Sequence, residues 1–286
     1  MKKVSVVLPT HNRADLLPQA LASVCEQTYR ELEIIVVDDS SSDATPEIVA
    51  EWCTKDSRFR SIRNDPNQRL PRSLNIGFAA TSGDYLTWTS DDNLYHPGAI
   101  GRMAEVLEAA KDAAGVYASM NIVDHNLNPK TVFRAKPVEE QSIQPWCGAC
   151  FLYRREAYEQ VGDYNPEMVL AEDLDYWIRL RQVGPLLPID EVLYDYREHE
   201  GSLSSNFPAQ VADAGAKVVI SHLGNMPWLQ GKPLGETYLA LASHAYRKED
   251  VEGLRKYLKL AIKLCPTTVI SRFKRGVLSA ALGRII

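Results

Sequence analysis

The sequence predicts an α/β fold, a body of strands alternating with helices followed by an α-helical appendage. Three observations carry that expectation. Residues 4–8 and 32–37 are apolar runs of the length of buried strands, and between them residues 14–27 place Leu16, Leu17, Ala20, Leu21 and Val24 at helical spacing. Strand, helix, strand in that order is the βαβ unit of a parallel sheet with a right-handed crossover. The chain has 286 residues, 45% hydrophobic and 24% charged, which is ordinary globular usage and excludes disordered, collagen-like and disulfide-scaffold classes. Its length suits one large domain, or one domain with an appendage.

Pro9-Thr10 closes the first run, and Asp38-Asp39-Ser40-Ser41-Ser42-Asp43 closes the second. Residues 43–52 read as a helix with Asp43 as N-cap and Pro46 and Glu47 in its first turn. A short strand is expected at 60–63 and a helix at 73–80, ending near Gly83. The strand expected at 85–89 runs into Ser90-Asp91-Asp92-Asn93. Residues 97–110 read as helix, 115–123 as strand, and 171–182 as a helix with Leu174, Ile178 and Arg181 along one side. The α/β body is expected to span residues 1–205.

Residues 206–286 are expected to be helical. The stretch 233–266 carries two helical patterns, one through Tyr238, Ala242 and Ala245, the other through Val251, Leu254, Leu258 and Ile262, and resembles a single tetratricopeptide-like hairpin. A basic tail, 267–286, shows partial amphipathicity through Ile270, Phe273, Val277 and Ala281.

Charge is divided unevenly. Residues 232–286 hold 11 Lys/Arg against 4 Asp/Glu, leaving 21 against 33 in the remainder. An acidic body argues against nucleic-acid binding. The basic tail either stays solvated, packs on the body or on a second copy in a homodimer, or makes peripheral contact with an anionic membrane. Five scattered cysteines fit a reducing compartment, and no run approaches the roughly 18 apolar residues of a spanning helix. A cytoplasmic protein is therefore expected, alone or on the inner face of the membrane. Cys147 and Cys150 have redox or half-zinc spacing, but no second pair follows.

The acids at strand ends are where chemistry is expected, because open α/β sheets bind ligands at the C-terminal ends of their strands. Asp91-Asp92 can hold a divalent cation through hard oxygens, and the cation can bridge two phosphates of a nucleotide. Asp38-Asp39 can accept hydrogen bonds from a base imide or a ribose hydroxyl, although turn and cap roles compete. Glu172-Asp173 starts a helix, whose positive end holds a carboxylate ionised for general-base work or simply supports the helix.

Pro9-Thr10-His11-Asn12-Arg13, Val36-Val37-Asp38-Asp39, Gly83-Asp84-Tyr85 leading to Ser90-Asp91-Asp92-Asn93, and Glu172-Asp173 follow one another in the order seen in family 2 glycosyltransferases, which the chain resembles over residues 3–205. The run Leu86-Thr87-Trp88-Thr89-Ser90-Asp91-Asp92-Asn93-Leu94-Tyr95 is similar to the bacterial spore-coat polysaccharide glycosyltransferase type. The resemblance implies a GT-A, Rossmann-like fold and inverting transfer from a nucleoside-diphosphate sugar to a saccharide or lipid-linked acceptor in surface-glycan synthesis. UDP is the favoured nucleotide and dTDP the alternative.

By resemblance, Pro9, Thr10, Asn12, Arg13, Asp38, Asp39 and Asp91 would surround the nucleotide. Asp91, Asp92 and His199 would hold Mn²⁺ or Mg²⁺, Asp173 with Glu172 beside it would supply the base, and Trp146 would border the acceptor. Two departures stand out. Thr89 occupies the place of the first aspartate of an Asp-x-Asp motif, and Leu74 replaces an arginine before Asn75, so Arg69 or Arg72 would reach the diphosphate instead. A noncatalytic nucleotide-sugar-binding subunit would keep Asp39 and Asp91-Asp92 without needing Asp173. A nucleotidyltransferase would want a glycine-rich basic loop after the first strand, and none is visible.

Overall fold

β1 (Val4–Thr10) is buried along its whole length, as a strand covered on both faces must be. The structure, a computed structural model, describes residues 1–142 and 147–274. These fall into two compact units, the first formed by residues 1–136 and 147–206, the second by 137–142 and 207–274.

In the first unit β1 is followed by α1 (Leu17–Cys25), β2 (Leu32–Asp38), α2 (Thr45–Lys55), β3 (Phe59–Arg63), α3 (Leu70–Ala79), β4 (Tyr85–Trp88), β5 (Leu94–Tyr95), α4 (Ala99–Ala109), β6 (Gly115–Val123) and β7 (Pro129–Phe133). β8 (Phe151–Arg154), α5 (Arg155–Val161), α6 (Glu172–Val183), β9 (Leu186–Arg197) and the short α7 (Leu203–Asn206) complete it. The strands form one mixed sheet in the order β3-β2-β1-β4-β8-β6-β9-β5, with β7 on β6. β3, β2, β1 and β4 run parallel.

Proline inside β1 is tolerated for a geometric reason. Tyr85 and Thr89 donate to the carbonyls of Lys3 and Val7, so odd-numbered residues of this strand face β4. Pairing with β4 stops at Val7↔Trp88, so the N–H that Pro9 lacks would point beyond the last pair, while Pro9 stays in register with Val37 of β2. The first helix starts later than its apolar period suggests, at Leu17, because Pro18 lies in its first turn, where no N–H is required. β9 carries no clean alternation, since Pro188, Asp190 and Glu191 interrupt it. Register shifts against Ala118 and Ser119 absorb the interruption.

α3 lies close on the sheet through Gly77, where a Cβ would press into Val7 and come within 3.0 Å of Val37 Cγ2. Gly77→Ala should therefore destabilise the protein by about 1–3 kcal/mol from overpacking, against about 1 kcal/mol gained in helix propensity. A lower urea midpoint at unchanged m-value is the expected result.

The second unit contains α8 (Pro208–His222), α9 (Gly231–Arg247), α10 (Val251–Leu264) and α11 (Pro266–Lys274). α9 and α10 form a hairpin whose inner residues include Leu239, Ala242, Ala245, Leu254, Leu258 and Ala261. Asp250 caps α10 by accepting the Gly253 N–H (2.9 Å). Two residues of the apolar patterns, Val251 and Ile262, are exposed instead. Tail residues 275–286 lie outside the described residues, as does Trp146. Among the described residues no helix is long and apolar enough to cross a membrane.

Candidate active site

The C-terminal ends of β1, β2 and β4 bring their acids to the segment that follows β1. Asp39 N–H donates to the Thr10 carbonyl (2.8 Å), and Arg13 Nε lies 3.6 Å from Asp91 Oδ1. Residues 10–13 thus touch both acidic clusters, although some 50 residues separate those clusters in sequence. Three non-glycine residues in and around these loops have positive φ: Asn12 (50°), Ser40 (65°) and Arg69 (66°). Such backbone strain gathers where surrounding structure enforces it, typically at functional sites.

Asp38 and Asn12 are committed within the loops. Asp38 Oδ1 accepts the Ser41 N–H (3.0 Å) and Oδ2 accepts from Arg63 Nη1, while Arg63 Nη2 holds the Ser41 carbonyl. Asn12 Oδ1 accepts the Ser42 N–H (2.7 Å) and Asn12 N–H donates to Ser41 Oγ (2.9 Å). Both residues shape the loops that follow β1 and β2, through hydrogen bonds to protein.

Asp39 is buried and accepts three hydrogen bonds: Asn64 Nδ2 (2.8 Å) and Gln68 N–H (2.7 Å) on Oδ1, and Arg69 N–H (2.8 Å) on Oδ2. A carboxylate has about four lone-pair positions, so one direction stays available. Arg69 takes part through its backbone. The Arg69 and Arg72 side chains are exposed and form no ion pair among the described residues.

Asp91 and Asp92 are each 9% exposed. Burial, and then the charge of Asp92, push the Asp91 carboxyl up to about 7 against the opposing pull of Arg13. Thr10 Oγ1 also favours the charged form but makes no well-formed hydrogen bond, and Arg13 Nε is likewise unsatisfied. Two crowded, poorly compensated carboxylates suit a divalent cation. Among the described residues no cluster of three or more His, Cys, Asp or Glu side chains is arranged to hold one. Two carboxylates fit the habit of Mg²⁺, which takes one or two protein carboxylates and completes its shell with substrate phosphates and water.

His199, expected as a cation ligand, is hydrogen-bonded to Asp92. Its Nδ1 accepts the Gly201 N–H (3.1 Å), so Nε2 carries the proton and donates to Asp92 Oδ2 at 3.0 Å. The imidazole orients Asp92 and offers no free lone pair in this arrangement. Arg13 Nη2 donates to the Gly201 carbonyl (3.3 Å), holding the same turn from the other side.

At the start of α6, Glu172 is buried and Asp173 half-buried. Burial raises both carboxyls above the usual range, and the charge of Asp173 adds to the rise at Glu172. The native state therefore binds the Glu172 proton more tightly than the unfolded chain does. Its contribution to stability is complete below the ordinary carboxylate value near 4.3 and declines as pH rises through the native value. Glu172→Gln should raise Tm at pH 8 and leave it nearly unchanged at pH 4, each tenfold difference in proton affinity being about 1.4 kcal/mol.

An aromatic cluster connects α6 to the end of β4. Trp88 Nε1 donates to Tyr164 Oη (3.0 Å), Tyr164 stacks on Tyr176 at 3.9 Å, and Phe151 meets Trp177 edge-on at 4.4 Å. Asn75 pins Tyr164 by donating to its carbonyl (2.8 Å) and accepting its N–H (2.9 Å). Cys147 and Cys150 are buried, free thiols.

Sequence reasoning missed several residues that build the site. Asn64 binds Asp39 and Ser73 Oγ, and no local pattern announces it. Asn93 Oδ1 accepts the Arg197 N–H (2.7 Å), and Gln19 Oε1 accepts from Arg197 Nη2 (2.6 Å). The only signal for Arg197 was its place two residues before His199.

Solved structures share the architecture. Staphylococcus aureus TarS, residues 1–349 in complex with UDP-GlcNAc, superposes with a TM-score of 0.65 at 17% identity, over 96% of this chain and 92% of that one. The mannosyltransferase PcManGT of Pyrobaculum calidifontis, in complex with GDP-Man and Mn²⁺, gives 0.66 at 18%, over 98% and 81%. These likenesses show the fold, which is of the GT-A type. The model of glycosyl transferase family 2 matches residues 5–162, and the chain belongs to that family. An uncharacterized glycosyltransferase of Rickettsia typhi is 26% identical over 71% of this chain and 66% of its own length. Among the first curated relatives the chain spans between 34% and 66% of their length.

Proposed function

We propose that the protein is an inverting transferase that moves a sugar from a UDP-sugar to an acceptor hydroxyl of a surface polysaccharide or glycan, with Asp173 as general base. The observation that carries this reading is the convergence of Asp39 and the Asp91-Asp92 pair on residues 10–13 at the strand ends. In the same unit, α6 begins with the buried Glu172 and the half-buried Asp173.

Asp39 directs its remaining acceptor position at the base or ribose, and Thr10 and Arg13 line the same loop. Asp91 and Asp92 would hold Mg²⁺ or Mn²⁺, with His199 orienting Asp92. When bound, the cation neutralises charge on the departing diphosphate. Asp173 takes the proton of the acceptor hydroxyl, whose oxygen attacks the anomeric carbon. The bond from that carbon to the diphosphate oxygen breaks with its electron pair, releasing the nucleoside diphosphate. A single displacement of this kind inverts the anomeric configuration. Burial, which raises the Asp173 carboxyl, gives it a proton affinity closer to that useful for a general base near neutral pH.

Calorimetric titration with UDP, dTDP and GDP, each with Mn²⁺, with Mg²⁺ and with EDTA, tests donor and cation together. UDP binding that requires a cation is expected. Binding of GDP alone would replace the uridine assignment, and failure of all three would remove the donor-site reading.

A further inference from the structure

We propose that the outer face of α10 docks on an anionic lipid surface. This inference is independent of the donor chemistry proposed above.

The inner side of α10 buries Leu254, Tyr257, Leu258 and Ala261, and its other side carries exposed Lys256, Lys259 and Lys263. Arg255, Lys259 and Lys263 recur four residues apart and therefore form one stripe of like charge. Elsewhere the protein relieves helical cations with acids one turn away: Lys55 pairs with Glu51 in α2, and Arg102 with Glu105 in α4. α10 has one acid, Glu252, in its first turn. Among the described residues Lys259 and Lys263 have no ion-pair partner.

Exposed aliphatic side chains lie among these cations. Ile262, between Lys259 and Lys263, is 48% exposed, and Val251 at the start of the helix is 41% exposed. In α11, Ile270 is 53% exposed and the nearby Arg272 is also exposed. Lysines alone would suit any polyanion. Isoleucines set among them gain only where an apolar layer lies just beneath the negative charge, which is the boundary between headgroups and acyl chains. A helix with a packed inner side and a basic, isoleucine-bearing outer side has the chemistry of a peripheral membrane contact.

The test is co-sedimentation of the full chain with phosphatidylcholine vesicles, with and without phosphatidylglycerol. Binding is expected only to the anionic vesicles, with release as salt is raised. Lys259→Glu combined with Lys263→Glu should weaken it at least about tenfold. Ile262→Ser should weaken it while leaving the salt dependence unchanged. Circular dichroism and thermal melting of each variant monitor folding. Equal binding to both vesicle types, or binding unaffected by charge reversal in folded variants, would overturn the proposal. A dimer in sedimentation that Ile262→Ser dissociates, without vesicle binding, would assign the face to a second copy of the chain.

Discussion

Asp173→Asn is expected to lower turnover about 10²–10⁴-fold, the usual worth of a positioned general base. The affinity for UDP should stay within about twofold, because the group acts only once the acceptor proton moves. Asparagine keeps the size and the oxygen that accepts the Leu174 N–H (2.7 Å), and removes the basicity. Single-turnover kinetics read the chemical step, and calorimetry reads donor affinity. A parallel loss of both would assign Asp173 to donor binding. Unchanged turnover would place the base elsewhere and remove the role proposed for α6.

Asp92→Ala is expected to reduce cation-dependent nucleotide binding by more than about 10–100-fold, the range seen when an outer-shell partner of a metal ligand is lost. His199→Ala should fall within that range, since His199 reaches the proposed cation only through its hydrogen bond to Asp92 Oδ2. The comparison separates ligand from orienter. If His199→Ala costs as much as Asp92→Ala, the imidazole turns over to bind the cation directly; if Asp92→Ala leaves Mn²⁺ dependence intact, the carboxylate pair is not the cation site.

Much of this site is legible in the sequence because strand ends announce themselves. An apolar run that stops at Asp38-Asp39, or one that stops before Asp91-Asp92, already puts acids where a parallel sheet binds ligands. The Glu172-Asp173 pair at a helix start is visible in the same way. Which acids remain available is not visible. Asp38 and Asp39 are adjacent and alike, yet Asp38 is consumed by Ser41 and Arg63, whereas Asp39 anchors the loop at 64–69 and keeps one acceptor direction. Arg63 for Asp38, and the residues at 64–69 for Asp39, lie more than 20 positions away.

The helix boundaries show the same division. Pro18 and Pro46 mark first turns from local sterics alone, since proline fits a helix where no N–H is needed. β9 escaped because Pro188 and Asp190-Glu191 break its alternation, and the register shifts that rescue it exist only in the presence of β6.

By itself the sequence determined the α/β class, the early βαβ order, the acids at the strand ends and the helical character of residues 233–266. Each of these follows from side-chain period and turn chemistry acting over a few residues. Only the tertiary structure decided that His199 serves Asp92 across 107 positions, that Asn93 holds Arg197 across 104, and that Ile262 faces outward from α10. Hydrogen-bond partners and burial are settled by which distant surfaces meet, and local pattern carries no record of that meeting.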